Sequence, residues 1–234
     1  MSRGVIPGGA RVALPSSDPV ADDLRGFGPL GLLAILIILA GNLVFMPFSA
    51  VLVLVWAWRS RTPWREIGYV RPRSWLGSLA VGIVFGIAFK LAMKTLVMPL
   101  LGAEPINHAY HYLAGNRAAL PAAIYAMTIG AGFGEETVFR GYMFERFGKL
   151  FGSSLWAKRL IVVLAAALFG LAHYPVQGLA GAEQGTIVGL VFGSIFTRTG
   201  RLWMLMCAHA AFDLTALAII YWNLESVVAH LVFK

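Results

Sequence analysis

The residues with the clearest capacity for chemistry are two adjacent carboxylates, Glu135 and Glu136, in a stretch that is otherwise apolar for a dozen residues upstream. A charged side chain at membrane depth costs at least a few kcal/mol, so a carboxylate pair in such a stretch indicates a functional site. Arg140 follows Glu136 by one helical turn, which predicts an ion pair along one face that would hold Glu136 ionised. Glu135 then points about 100° away, toward neighbouring helices.

Two further apolar stretches carry ionisable residues at helical spacing. Phe169 and His173 are four residues apart, and so are His209 and Asp213. Counted at about 1.5 Å per residue from the nearest basic residue, these pairs and the glutamates fall near the middle of a hydrocarbon core about 30 Å thick. We therefore expect three helices to bring these side chains to one level and to form one buried site near mid-bilayer.

A carboxylate and two imidazoles held away from water suit the hydrolysis of a carbonyl compound. Glu135 and His173 can activate a water molecule as general base. His209, with Asp213 beside it, can donate to the oxyanion that forms when water attacks a carbonyl carbon. Alternatively, Glu135, His173 and His209 could bind Zn²⁺ and leave one coordination position open. The residue types leave both chemistries open.

The composition places these stretches in a membrane. Of the 234 residues, 59% are hydrophobic and 13% are charged, against about 25% charged in ordinary soluble domains. The net charge of +8 indicates basic cytoplasmic loops and no nucleic-acid partner. The single cysteine, Cys207, excludes an intramolecular disulfide and a cysteine-rich metal site. We expect an all-α polytopic transmembrane bundle in contact with the lipid bilayer.

About six apolar segments are predicted to span the bilayer. They cover residues 29–58, 75–101, 118–147, 160–174, 186–196 and 202–222. The first is expected to be one long tilted helix or one kinked near Pro47, and the fourth is expected to stop at Pro175. Residues 1–26, rich in Gly, Pro, Ser and Asp, are predicted to be a disordered tail, and residues 27–234 to form a single transmembrane domain.

Basic residues give these spans an orientation. The links after the first, third and fifth spans hold eleven Lys and Arg residues, in groups of five, four and two, and the other side holds five. The positive-inside rule places the three basic links in the cytoplasm and, with six spans, both termini outside it. Lys90 and Lys94 lie inside the second span, where snorkelling to the interface is the favoured interpretation and a role in the bundle interior is the alternative.

Taken together, three motifs resemble the CPBP family, which comprises type II CAAX prenyl endopeptidases and bacterial relatives in bacteriocin processing or self-immunity. In chain order they are Glu-Glu-x-x-x-Arg (Glu135, Glu136, Arg140), Phe-x-x-x-His (Phe169, His173) and His-x-x-x-Asp (His209, Asp213). The similarity extends over residues 64–222. It implies a CAAX-type intramembrane endopeptidase, a hydrolase whose mechanism depends on a glutamate or on a metal.

The resemblance also implies roles for the motif residues. Glu135 and His173 would activate water, and His209 and Asp213 would form the oxyanion site. Glu136 and Arg140 would support them. Eukaryotic prenyl endopeptidases tend to carry Asn at the position of Asp213, whereas bacterial relatives have either residue. The expected substrate is therefore a membrane-anchored peptide or protein, with prenylated CAAX peptides as one class.

Two other classes of function compete with the protease. A non-catalytic membrane immunity or adaptor protein of the same fold would tolerate Glu135→Ala, whereas a protease would not. An ion-coupled transporter would show internal repeats between its halves, and the sequence shows none. The high Gly and Ala content fits a multi-pass protein of a bacterial inner membrane.

Overall fold

A computed structural model describes residues 18–44 and 46–233, which are helical and contain no strand. These residues form eight helices: α1 (Pro19–Arg25), α2 (Pro29–Val44), α3 (Met46–Arg59), α4 (Trp75–Leu100), α5 (residues 120–151), α6 (Leu155–Thr199), α7 (Trp203–Tyr221) and α8 (Glu225–Ala229). Short 3₁₀ turns occupy the links at Trp64–Ile67, His111–Leu113 and Arg117–Ala119. The prediction of an all-α bundle is confirmed.

The predicted disordered tail is wrong for its last residues. Residues 1–17 lie outside the described part of the chain, but α1 begins directly after them. Asp18 accepts a hydrogen bond from the Ala21 N–H at 3.2 Å, and Pro19 occupies the first helical position, where its missing N–H costs nothing. This capped start, and the ion pairs of Asp18 with Arg59 and Arg61 at 3.1 and 3.3 Å, give the segment a fixed place.

The first predicted span is two helices that fold back on each other. Ser49 of α3 donates a hydrogen bond to the carbonyl of Ile38 in α2 at 2.6 Å, whereas a continuous helix would separate these residues by about 16 Å. Near the end of α3, Trp56 Nε1 donates to the Leu24 carbonyl at 3.0 Å. The chain therefore leaves and returns on the same side, and the prediction of one tilted or kinked helix is wrong.

The fourth and fifth predicted spans are the two arms of α6. Gly178 breaks the helix with φ of 62° and ψ of −157°, and the arms pack antiparallel through small residues. A Cβ on Gly189 would lie 2.7 Å from Ala166 Cα, and one on Gly170 would lie 2.5 Å from the Ala182 carbonyl oxygen. Pro175 lies inside the first arm, so the predicted end of the fourth span at this residue is wrong and glycine makes the turn.

Helix α5 carries the two glutamates and has an unusual backbone. Residues Ala126–Tyr142 are π-helical, and the N–H of Met143 donates to the carbonyl of Val138, five residues earlier. Backbone hydrogen bonds of this kind mark functional sites in many helices. Glu135 and Glu136 lie in this π-helical part, flanked by α-helical segments at Leu120–Tyr125 and Met143–Phe151.

Helices α4 and α7 pack closely because α4 presents glycine to α7. A Cβ on Gly82 would lie 2.7 Å from the carbonyl oxygen of Met204, and one on Gly86 would lie 2.2 Å from that of Ala208. Gly132 gives α5 the same close approach, since its Cβ would lie 3.0 Å from the Met206 carbonyl oxygen. These contacts fix α7 between α4 and α5, and thereby fix the depth of His209.

The three basic links meet at one end of the bundle, as predicted. Leu202 N–H donates to the Gly68 carbonyl at 3.0 Å, which joins the third link to the first. Lys149 Nζ donates to the Arg25 carbonyl at 3.3 Å, and Arg25 in turn pairs with Glu66 of the first link at 3.8 Å. Because α2 and α3 return to their starting side, the described N-terminal residues lie at this same end. The prediction that the N-terminus lies on the opposite side is wrong for the residues from 18 onward.

Several of the described helices can cross a membrane by length and apolar character. These are Trp75–Leu100, Leu155–Thr199 and Trp203–Tyr221, and the bent pair Pro19–Arg25 and Pro29–Asn42 adds a fourth if counted as one. The predicted count of six stays a prediction.

Candidate active site

The Glu136 carboxylate joins α5 to α7 at the centre of the bundle. Its side chain has no exposed area. Glu136 Oε1 lies 3.0 Å from Arg140 NH1 and accepts a hydrogen bond from His209 Nδ1 at 2.7 Å. The predicted pairing of Glu136 with Arg140 is confirmed. Because Nδ1 of His209 carries the shared proton, the ring's Nε2 is directed away from Glu136.

Two aromatic rings from α6 hold the Arg140 guanidinium. Its central carbon lies 4.4 Å from the ring centre of Phe169 and 5.5 Å from that of Phe192. The Arg140 side chain is only 2% exposed, so these rings and Glu136 supply part of the stabilisation that water would otherwise give to a charged group. Phe169 therefore supports the cation as well as the histidine that follows it.

Nε2 of His209 faces two further carboxylates. It lies 3.6 Å from Glu135 Oε2 and 3.7 Å from Asp213 Oδ2. Glu135 is 17% exposed and Asp213 is 27% exposed, against 4% for His209. The imidazole is thus fixed from behind by a buried carboxylate, and its other nitrogen faces two acidic side chains that are each partly exposed.

His173 is held by the backbone and by the ring one turn before it. Its Nδ1 donates to the Phe169 carbonyl at 2.8 Å, and the two ring centres are 4.6 Å apart in an edge-to-face contact. This bond places the proton on Nδ1, so Nε2 of the neutral ring is the acceptor. A Cβ on Gly185 would lie 3.3 Å from His173 Nδ1, so the second arm of α6 has glycine where it passes the imidazole.

One cavity of about 350 Å³, the site cavity, brings most of the predicted residues together. Glu135, His173, His209 and Asp213 all line it. Glu136 and Arg140 do not; they lie behind His209, in the protein interior. The structure thus places the six predicted residues in one cluster and separates them into four that line the cavity and two that hold the cluster in place.

Polar groups that the motifs do not include also surround this cluster. Tyr110, from the link between α4 and α5, lines the site cavity, and Gln177 donates to its hydroxyl at 3.4 Å. Burial and the nearby charges of Asp213 and Glu135 raise the pKa of Tyr110, so its hydroxyl keeps its proton. An isolated tyrosine in a polar link carries no sequence signal that separates it from a surface residue.

The snorkelling interpretation of Lys90 is wrong. Lys90 is 7% exposed and lines the site cavity. Its Nζ donates to Gln184 Oε1 at 3.0 Å and lies 4.7 Å from the ring centre of Phe212. The second arm of α6 and α7 enclose this ammonium group, so it cannot extend to the interface.

The donor atoms of the cluster can be compared with the needs of a metal ion. Within the described part of the chain, no three His, Cys, Asp or Glu side chains are arranged to hold one. Nδ1 of both site histidines is engaged, with the Phe169 carbonyl and with Glu136, and bonds of this kind also orient histidines that bind a metal through Nε2. The alternative of Zn²⁺ held by Glu135, His173 and His209 therefore stays a prediction.

Comparison with known proteins gives a match over the part of the chain that holds the site. Residues 117–215 match a family model described as type II CAAX prenyl endopeptidase Rce1-like. No curated protein and no solved structure gave a match. The matched residues include all three motifs, and the apolar helices agree with an integral membrane protein. The match confirms the resemblance to the CPBP family and, at the level of that family, supports a CAAX-type intramembrane protease.

Proposed function

We propose that this protein is an endopeptidase that hydrolyses a peptide bond of a membrane-associated substrate with Glu135, His173, His209 and Asp213. One observation carries the proposal: these four side chains, from three helices, line one cavity, while a buried ion pair fixes one of the histidines from behind. A site that only needed packing would have no use for four ionisable groups around open space.

In the proposed reaction, water enters the site cavity between Glu135 and the Nε2 of His173. Glu135 takes one proton from the water while the water oxygen forms a bond to the carbonyl carbon, and His173 accepts a hydrogen bond from the remaining O–H of the water. His209, carrying a proton on Nε2, donates to the oxyanion. When the oxyanion collapses, the C–N bond breaks and the nitrogen takes the proton from Glu135. The products are a carboxyl group and an amine.

Glu136 and Arg140 act in this proposal as positioning residues. The hydrogen bond of His209 to Glu136 at 2.7 Å sets the orientation of the ring, and Arg140 pairs with Glu136 at 3.0 Å. Asp213, 3.7 Å from His209 Nε2, either orients that ring or, when protonated, donates to the oxyanion itself.

The Gly and Ala content supports a bacterial inner membrane as the location.

Cleavage of membrane-anchored peptides tests the proposal. Purified wild type and Glu135→Gln are placed in proteoliposomes with a pool of such peptides, with and without prenyl groups, and products are identified by mass spectrometry. We expect cuts by the wild type and a loss of at least about 100-fold in Glu135→Gln, because a general base contributes about 10² to 10⁴ in rate. The matched control is Glu66→Gln, a partly exposed glutamate paired with Arg25 at the basic end.

The alternative function, a non-catalytic immunity or adaptor protein, is an outcome of the same experiment. It predicts no cuts by either folded protein. Equal cutting by the wild type and Glu135→Gln would instead refute the assigned role of Glu135. Comparison of prenylated with unmodified peptides shows whether the substrate must carry a lipid.

A further inference from the structure

A second cavity adjoins the site cavity on the side away from the basic links. It has a volume of about 510 Å³ and lies under the link between α4 and α5; we call it the loop cavity. Six residues line both cavities: Lys90, Asn107, Gln177, Gln184, Ala216 and Ile220. Lys90 is the only charged residue among these six. The boundary between the cavities therefore carries a single ammonium group.

Among the described residues, the carboxylates of Asp213 and Glu225 attract this ammonium group only from beyond ion-pair distance. No Asp or Glu in that part of the chain forms an ion pair with Lys90, and its polar contact is with the uncharged Gln184 at 3.0 Å. An ammonium group has three N–H donors, so two remain after the bond to Gln184. Burial of a cation outside a close ion pair is unfavourable, and a ligand carboxylate within hydrogen-bond distance of Lys90 would reduce that cost.

The neighbouring lysine lies outside the site cavity. Lys94 lies one turn further along α4, lines only the loop cavity, and donates to the Pro105 carbonyl. Glu225, also in the loop cavity, accepts from the Asn107 N–H at 2.7 Å and pairs with His111 at 2.9 Å. Lys90 thus differs from Lys94 in position and burial, because Lys90 is buried where the two cavities meet and Lys94 is partly exposed in the loop cavity alone.

We propose that Lys90 binds a carboxylate of the substrate and so selects which peptides enter the site cavity. The carboxylate is either the substrate's own C-terminus or an acidic side chain close to the cleaved bond, since both present the same pair of oxygens. This inference rests on the proposed function, because Lys90 can select substrates only if the protein cleaves peptides in the site cavity. Gln184 orients the ammonium group, and Phe212 supports it from the other side.

Binding, rather than cleavage, gives the sharpest test. Glu135→Gln protein, which is expected to bind without cutting, is mixed with isotope-labelled pairs of membrane-anchored peptides that differ only in a C-terminal carboxylate or carboxamide. A second set of pairs exchanges acidic side chains for their amides. The peptides retained by the protein are quantified by mass spectrometry, and the readout is the ratio of the acid form to the amide form.

We expect a ratio of at least about ten in one of the two sets, since a hydrogen bond to a charged group contributes about 1.5–3 kcal/mol and tenfold corresponds to about 1.4 kcal/mol. Lys90→Met should reduce this ratio to about one, whereas Lys94→Met should keep it. The set that shows the preference identifies the source of the carboxylate. Methionine fills a similar volume, so the variant is expected to fold.

Three results would overturn the assignment: a ratio near one in both sets with Lys90 present, an unchanged ratio in Lys90→Met, or an equal loss in Lys94→Met. If Lys90 served only to balance the charge of Asp213, the substitution would weaken acid and amide forms alike and leave the ratio unchanged. The failure of the protease proposal is seen separately, as the absence of cuts by the wild type in proteoliposomes.

Discussion

The buried pair of Glu136 and Arg140 makes a strong prediction about stability. Arg140→Met leaves a carboxylate that has no exposed area and retains His209 as its partner, and Glu136→Gln leaves a guanidinium that is 2% exposed beside two aromatic rings. Removing one partner of a buried ion pair typically costs about 3–5 kcal/mol. We expect each single variant to lose stability in this range.

The double variant separates the pair from its surroundings. Combining Arg140→Met with Glu136→Gln removes both charges together, so neither member of the pair is left as an unpaired ion in the interior. We expect the double variant to be more stable than the sum of the two single effects predicts by about 2–3 kcal/mol.

Unfolding in mixed micelles, followed by the fluorescence of the seven tryptophans, gives the three free energies of unfolding relative to the wild type. Single effects that add within about 0.5 kcal/mol, the range found for independent sites, would refute the reasoning. So would an Arg140→Met protein as stable as the wild type. Either result would mean that water or other groups solvate the remaining charge.

Two further predictions concern packing and orientation. Gly189→Ala is expected to destabilise the protein by about 1–3 kcal/mol, because its Cβ would lie 2.7 Å from the backbone of the facing arm. The control is Gly148→Ala, whose Cβ meets nothing within 4 Å. An equal effect of both substitutions on the free energy of unfolding would contradict the packing. Single cysteines are placed at Arg61 or at His108 in a Cys207→Ala background. We expect a membrane-impermeant thiol reagent to label them from opposite sides of the membrane, the cysteine at position 61 from the cytoplasm. Labelling of both from the same side would contradict the orientation.

Much of the candidate site was predictable because local spacing determined it. The pairing of Glu136 with Arg140 and the contact of Phe169 with His173 follow from residues one turn apart on a helix. Counting residues from the basic links placed His209 and the glutamates at similar depth, and the bond between His209 and Glu136 agrees with that depth. The roles of these residues in catalysis stay predictions.

Changes of chain direction inside apolar segments were not predictable. The hydropathy of residues 29–58 is the same whether they form one helix or two that fold back, since both arrangements bury apolar side chains in lipid or protein. The contact of Ser49 with Ile38 depends on which helix faces which. That single reversal places the start of the described chain at the basic end.

The sequence by itself determined the helical membrane class, the family motifs and the pairs that lie one turn apart, because composition and helical periodicity act locally. Tertiary structure alone decided which carboxylate lies behind His209, which residues line the site cavity, and that Lys90 is enclosed by Gln184 and Phe212. These outcomes depend on close approach between helices at glycine, and such contacts between residues distant in sequence leave no periodic signal in the chain.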